Sequence, residues 1–231
     1  MNTHDFTVEI KGRTLEYIDA DHTYLVDGVI VPSITTVLRR ELGEKYDKVP
    51  QAVLQKAANL GTLLHEQIEK YCKTGDTYGA MPEVQNFIFL RNHYGFEPVK
   101  NEVPLILFAD DTPVAAGRCD LVLKMNGVLI GADIKRTSAL DKQYLAGQLN
   151  LYRRAYFQSY GEMWQELRGV WLHGSDKRKF VQLPINEIWV DEVVRRLKDG
   201  LDKRRSAEDQ GTEHVSQDAP QDGDGVCGSG T

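Results

Sequence analysis

Cysteine is scarce in this chain. Its 231 residues hold three, Cys72, Cys119 and Cys227, far apart and with no CxxC pair. An odd, scattered set excludes a four-cysteine iron–sulfur or zinc site and a disulfide framework; it points to reduced thiols and a cytoplasmic protein. No apolar run approaches the ~18 residues that suggest a membrane helix, so no membrane partner is expected. The opening MNTHDFTVEIKGR lacks a basic stretch followed by an apolar one, so it does not read as a signal peptide. There is no P-loop and no helicase motif, so no nucleotide cofactor is implied. Lys and Arg are missing from residues 206–231, which carry Glu208, Asp209, Glu213, Asp218, Asp222 and Asp224. Six of the 34 acidic residues lie there, so the other 28 balance the 28 basic ones and the formal charge of −6 belongs to the tail. Rich in Gly, Ser, Gln and Asp, that tail has too little apolar surface to order itself and is expected to be disordered.

What remains is 41% hydrophobic overall and reads as mixed α and β. Residues 5–32 suggest strands, with Asp27-Gly28 as a tight turn. Ser33 is an N-cap before ITTVLRREL. Leu60, Leu64, Ile68 and Tyr71 recur at helical spacing in QAVLQKAANLGTLLHEQIEKYCK. Pro82 opens another helix. Three strands follow, EVPLILFA, VAAGRCDLVLK and GVLIGADIKR, then the helix DKQYLAGQLNLYRRAYFQSYG. A second hairpin surrounds Ser175-Asp176, and a last helix spans about Glu187 to Arg205. The expected organisation is residues 1–50 as N-terminal strands and helix of the same fold, 51–205 as the core and 206–231 as the tail.

The chemistry concentrates in residues 117–136. Asn126-Gly127 is the strongest short hairpin signal, and as a two-residue loop it pairs Met125 with Val128. Counting back, Asp120 falls opposite Asp133 on one face, with Cβ atoms ~5 Å apart. Like charges facing each other destabilise a sheet. Lys135 shares that face and neutralises part of the charge. A divalent cation held by both carboxylates accounts better for the pair, and hard oxygen donors suit Mg²⁺ or Mn²⁺.

Asp120, then Asp133-Ile134-Lys135, resembles the core of the PD-(D/E)xK nuclease superfamily. GTLLHEQIE, residues 61–69, resembles the GxxxHxxxE helix of its RecB-like branch, and QLNLY, residues 148–152, resembles that branch's QxxxY motif. The three occur in the family's order. The N-terminal strands and VPSITTVL look like those of small phage-borne relatives. The resemblance implies a restriction-endonuclease-like fold, a central mixed β-sheet meander flanked by helices, with an N-terminal β-hairpin extension. It implies a metal site of His65, Asp120, Asp133 and the Ile134 carbonyl, with Lys135 as the catalytic cation. Gly61 would let its helix approach the sheet closely. Glu69 either bonds the His65 imidazole or is solvated. Gln148 and Tyr152 contact a phosphate, orient Lys135, or pack in the core. Arg153 and Arg154 touch a DNA backbone or are solvated. Glu102 is a further acidic candidate. No iron–sulfur cluster is expected. The implied activity is metal-dependent hydrolysis of DNA, as a phage or prophage exonuclease in recombination, repair or genome processing. DNA is the expected partner, together with a single-strand annealing or other recombination protein. The competing readings are a catalytically silent DNA-binding scaffold and an RNA nuclease.

Overall fold

The computed structural model describes residues 5–43 and 50–213. Four short strands come first: β1 (Phe6–Ile10), β2 (Arg13–Ile18), β3 (Thr23–Val26) and β4 (Val29–Val31), in one antiparallel sheet in chain order. The expected hairpin extension is thus two successive hairpins. Asp27 (φ 52°) and Gly28 (φ 76°) form the turn that the Asp-Gly pair announces. Helix α1 (Ile34–Leu42) begins at Ser33, whose side chain accepts the Thr36 N–H. Helices α2 (Gln51–Thr74) and α3 (Pro82–Tyr94) follow, each stopped by a left-handed glycine, Gly75 and Gly95.

The main sheet has the order β5 (Glu97–Ala109), β6 (Thr112–Met125), β7 (Val128–Lys135), β8 (Glu166–His173), β9 (Lys177–Leu183). Strands β5 to β7 form an antiparallel meander. Helix α4 (Lys142–Tyr160) then crosses over and brings β8 parallel to β7. Helix α5 (Glu187–Glu213) closes the chain. The fold is mixed α/β, as the order of patterns implies.

Both faces of the main sheet are covered, and the side chains of β7 divide by period two. Ile130, Ala132 and Ile134 meet Leu64 and Ile68 of α2 and Phe87 of α3. On the opposite face Val103, Leu105, Val122 and Leu167 meet Ile34, Leu145, Leu149 and Val193 from α1, α4 and α5. The N-terminal sheet packs Leu15, Tyr24 and Val26 on Ile106, Phe108 and Ala116, and the Ala116 N–H donates to the Pro32 carbonyl at 3.0 Å. Residues 5–43 therefore pack onto the main sheet as part of the same fold. No described helix is long and apolar enough to cross a membrane.

Two expectations are corrected here. α5 runs to Glu213, so the stretch from Ser206 to Glu213 is helical and not part of a disordered tail. Ala207, Glu208 and Gln210 are good helix formers, and extending a formed helix costs far less than starting one. The rest of the expected tail, with Cys227, lies outside the described residues. Gly61 does not serve a close approach: a Cβ built there meets nothing within 4 Å. The close approach is at Gly131, where a Cβ would lie 1.9 Å from the ring of the fully buried Trp164. Gly61→Ala is therefore expected to raise stability by about 0.5–1 kcal/mol, since Gly is a poor helix residue. Gly131→Ala is expected to lower it by about 1–3 kcal/mol through overpacking. Urea denaturation of the two variants checks both signs.

Candidate metal centre at the fork of β6 and β7

The hairpin register is the expected one. Met125 pairs with Val128 and the ladder continues to Leu121 opposite Ala132. There it stops, one pair short of Asp120 and Asp133. Beyond that point β7 continues on β8 as far as Lys135 opposite Trp171, and β6 stays paired with β5. The two strands therefore fork at Asp120. Its Oδ2 accepts the Ile134 N–H at 2.7 Å, so a carboxylate takes a backbone donor at the fork.

Helix α2 lays His65 over this fork. Its Nε2 is 3.3 Å from the Ile134 carbonyl oxygen and 3.7 Å from Asp120 Oδ2. Its Nδ1 is 3.6 Å from Glu102 Oε1. Glu102 lies in β5 between Asn101 and Val103, which pair with Leu121 and Cys119 on either side of Asp120. Its φ of +48° is left-handed, a conformation that costs a non-glycine residue about 1–3 kcal/mol. Arg118 holds the other Glu102 oxygen, Oε2, at 2.7 Å, and its guanidinium lies over the rings of Phe6 (5.9 Å) and Tyr17 (5.6 Å) from the N-terminal sheet.

His65, Glu102 and Asp120 each offer one donor atom within 4.8 Å of the others. Atoms bound at ~2.1 Å to one octahedral ion lie roughly 3 to 4.2 Å apart, so a small contraction suffices. Asp133 stands beside this trio. It is 1% exposed, both its oxygens lack a well-aligned hydrogen-bond donor, and Lys135 Nζ lies 2.7 Å from Oδ2 as an ion pair. Buried carboxylate oxygens in need of a partner, one imidazole and the Ile134 carbonyl that the imidazole faces suit Mg²⁺ or Mn²⁺.

The electrostatics agree with a shortage of positive charge. Burial pushes the Asp133 carboxyl up, the Asp120 charge pushes it further, and it reaches about 6 despite Lys135. Asp120 is raised by burial as well, against the pull of His65. Burial alone would lower His65, yet Asp120, Glu102 and Asp133 outweigh it and raise the imidazole to about 9. Burial also opposes the Lys135 charge, and Asp133 and Asp120 together hold its pKa above the ordinary value.

The remaining candidates sort differently. Glu69 does not bond the imidazole; it pairs with Lys73 at 2.6 Å, one turn along α2, and Glu102 is the carboxylate beside the ring. Gln148 and Tyr152 are buried in the core, joined by a 3.3 Å bond from Gln148 Nε2 to the Tyr152 hydroxyl. The hydroxyl pKa is raised by burial and then by the Asp133 charge. Arg153 is mostly buried rather than solvated: it donates to the Trp164 carbonyl at 2.7 Å and pairs with Glu187. Arg154 pairs with Glu187 and Asp191. Both tie α4 to α5.

No protein-family model and no curated protein matches this chain. Among solved structures it is similar to one described as the crystal structure of SSO0001, with 14% identity, a TM-score of 0.34 and coverage of 73% of this chain and 82% of that one. Likeness at that level carries no argument about fold or function.

Two outcomes follow from the geometry. Glu102→Gln, which removes a charged candidate ligand, is expected to weaken Mn²⁺ binding at least about 10-fold, while Glu69→Gln leaves it unchanged. Calorimetric titration of both variants decides which acid serves the site. The second outcome concerns pH. The Asp133 pKa rises on folding from ~3.9, so its contribution to stability is present below about pH 4 and lost as pH climbs through 6. His65 rises from ~6.5, so its contribution is present below that value and lost as pH climbs through 9. In EDTA both terms lower the melting temperature between about pH 5 and 9. Metal binding requires these groups deprotonated, so the rise in melting temperature caused by Mn²⁺ should grow over the same range. An Mn²⁺ effect independent of pH would remove His65 from the ligand set.

Proposed function

We propose that this protein is a metal-dependent DNA nuclease that hydrolyses phosphodiester bonds. The observation that carries the reading is a convergence. His65 from α2, Glu102 from β5, Asp120 from β6, and Asp133, the Ile134 carbonyl and Lys135 from β7 meet at one fork of the sheet. Together with the DxK, GxxxHxxxE and QxxxY patterns, this arrangement supports the PD-(D/E)xK resemblance and a restriction-endonuclease-like core. The finer assignment rests on the RecB-like patterns: a phage-type exonuclease in recombination, repair or genome processing, acting in the cytoplasm of a bacterial host beside a DNA-pairing protein.

Each residue has a defined task in this reading. His65, Asp120 and Glu102 hold the ion, with Asp133 and the Ile134 carbonyl completing the donor set. A bound Mg²⁺ or Mn²⁺ supplies Lewis acidity, lowering the pKa of a water and polarising a phosphate oxygen. Lys135 is held charged by its two carboxylate neighbours. A charged lysine orients a water or offsets negative charge as it grows on the phosphate, rather than removing a proton. Asp133 anchors that ammonium beside the fork. Tyr152 and Gln148, joined to each other and buried, have no catalytic task in this reading.

Digestion of end-labelled linear, nicked and circular DNA, with RNA in parallel, tests the reading. Mn²⁺ or Mg²⁺ should support cleavage of DNA and EDTA should abolish it. Lys135→Ala should slow cleavage by about 10²-fold or more, with Mn²⁺ binding largely kept. Full activity in excess EDTA would sink the metal mechanism, binding without cleavage would leave a silent scaffold, and preference for RNA would reassign the substrate.

A further inference from the structure

We propose that Arg136 binds a DNA phosphate beside the one held at the metal centre, and that Glu83 fixes it for that task. The identity of the ligand as DNA rests on the nuclease reading; the fixed guanidinium does not. Arg136 follows Lys135 directly at the end of β7. Its Nε donates to Glu83 Oε1 at 2.8 Å. Glu83 lies in the first turn of α3 and is 2% exposed. The same Oε1 accepts the Gly174 N–H at 3.1 Å. One helical turn on, Asn86 donates to the Gly174 carbonyl at 2.9 Å and accepts from Arg178 at 2.8 Å. Glu83 is therefore locked between α3 and the turn that joins β8 to β9, and it locks Arg136 in place.

Packing alone does not account for the pair. A buried ion pair is often no more stable than apolar residues of similar volume, so a fold has little reason to keep one for stability. The pair also leaves donors over. Arg136 uses one N–H on Glu83, its sole hydrogen-bond and ion-pair partner among the described residues. Both Nη nitrogens are without an acceptor among those residues, and the side chain is 20% exposed. A guanidinium held by one nitrogen presents its remaining edge as a flat, two-pronged donor, the shape that matches phosphate oxygens.

Arg136 stands where such a phosphate would pass. Ile134 faces α2 and α3, so by alternation Asp133 and Lys135 face the other side of the sheet. The bond to Glu83 puts the Arg136 side chain back on the α2 and α3 side, where His65 stands over the fork. The two consecutive cations therefore flank the end of β7 from opposite faces. Arg136 is two residues beyond Ile134, whose carbonyl oxygen lies 3.3 Å from His65 Nε2. That is ~7 Å of strand, or about two nucleotide steps at ~3.4 Å each along a duplex axis. A DNA strand with its scissile phosphate at the ion thus carries a neighbouring phosphate past Arg136.

The test is fluorescence anisotropy of a labelled DNA duplex with the full chain in EDTA, where cleavage does not contribute, over a series of salt concentrations. Arg136→Lys keeps a cation opposite Glu83, but one ammonium held by the buried carboxylate has no second edge to give a phosphate. This variant should melt close to the parent and bind about tenfold more weakly. The slope of log affinity against log salt should fall by about 0.9, the value for one phosphate contact on a duplex. Glu83→Gln/Arg136→Gln replaces the ion pair with two amides; it should lose the same slope and covers the case in which the lysine variant does not fold. A folded variant with parent-like affinity and slope would overturn the proposal and leave a purely structural pair. So would an absence of DNA binding by the parent. Loss of slope in the variants, with no cleavage of any DNA by the parent in Mn²⁺, would overturn the nuclease reading and keep the phosphate contact.

Discussion

Three carboxylates share one end of a sheet, and the surrounding structure is arranged to offset their charge. Lys135 answers Asp133, Arg118 answers Glu102, and the Ile134 N–H answers Asp120. His65 lies among all three with its pKa raised to about 9. Asp133, 1% exposed, has no partner beyond the Lys135 ammonium beside Oδ2 among the described residues. Buried carboxylates in this state are relieved by a proton, a water or a cation, and the raised Asp133 and Asp120 pKa values record that demand.

Much of this was legible in the sequence where local rules decide. Asn126-Gly127 dictates a two-residue turn, and Asn126 and Gly127 do adopt positive φ (51° and 81°). The register follows, and with it the approach of Asp120, Asp133 and Lys135. Leu64 and Ile68 mark the buried stripe of α2, which fixes where His65 can point. The Ser33 cap and the Pro82 start were equally readable.

Three of the four differences trace to a partner supplied from far along the chain or by an irregular backbone, and Glu69 is the exception. Glu69 has the right helical spacing to His65, but Lys73 on the same helix claims it. Glu102 earns its place through a backbone kink inside a strand, which no residue pattern announces. Arg153 and Arg154 look like a free basic pair until α5 brings Glu187 and Asp191 against them. Gly61 fits a motif, yet the tight contact belongs to Gly131, because Trp164 packs on β7 from the crossover after α4.

The placement of Arg118 has a consequence for how the chain could be shortened. Its guanidinium rests on Phe6 and Tyr17, so the N-terminal sheet forms the back wall of the residue that steadies Glu102. A fragment beginning at Gln51 would retain His65 and all three acids. It would also expose Ile106, Phe108 and Ala116 to water and leave Arg118 free to change rotamer. The minimal unit for the proposed ion site is thus larger than the stretch that carries its candidate ligands, and the two hairpins at the start of the chain serve as scaffolding for a cluster to which they contribute no candidate donor atom.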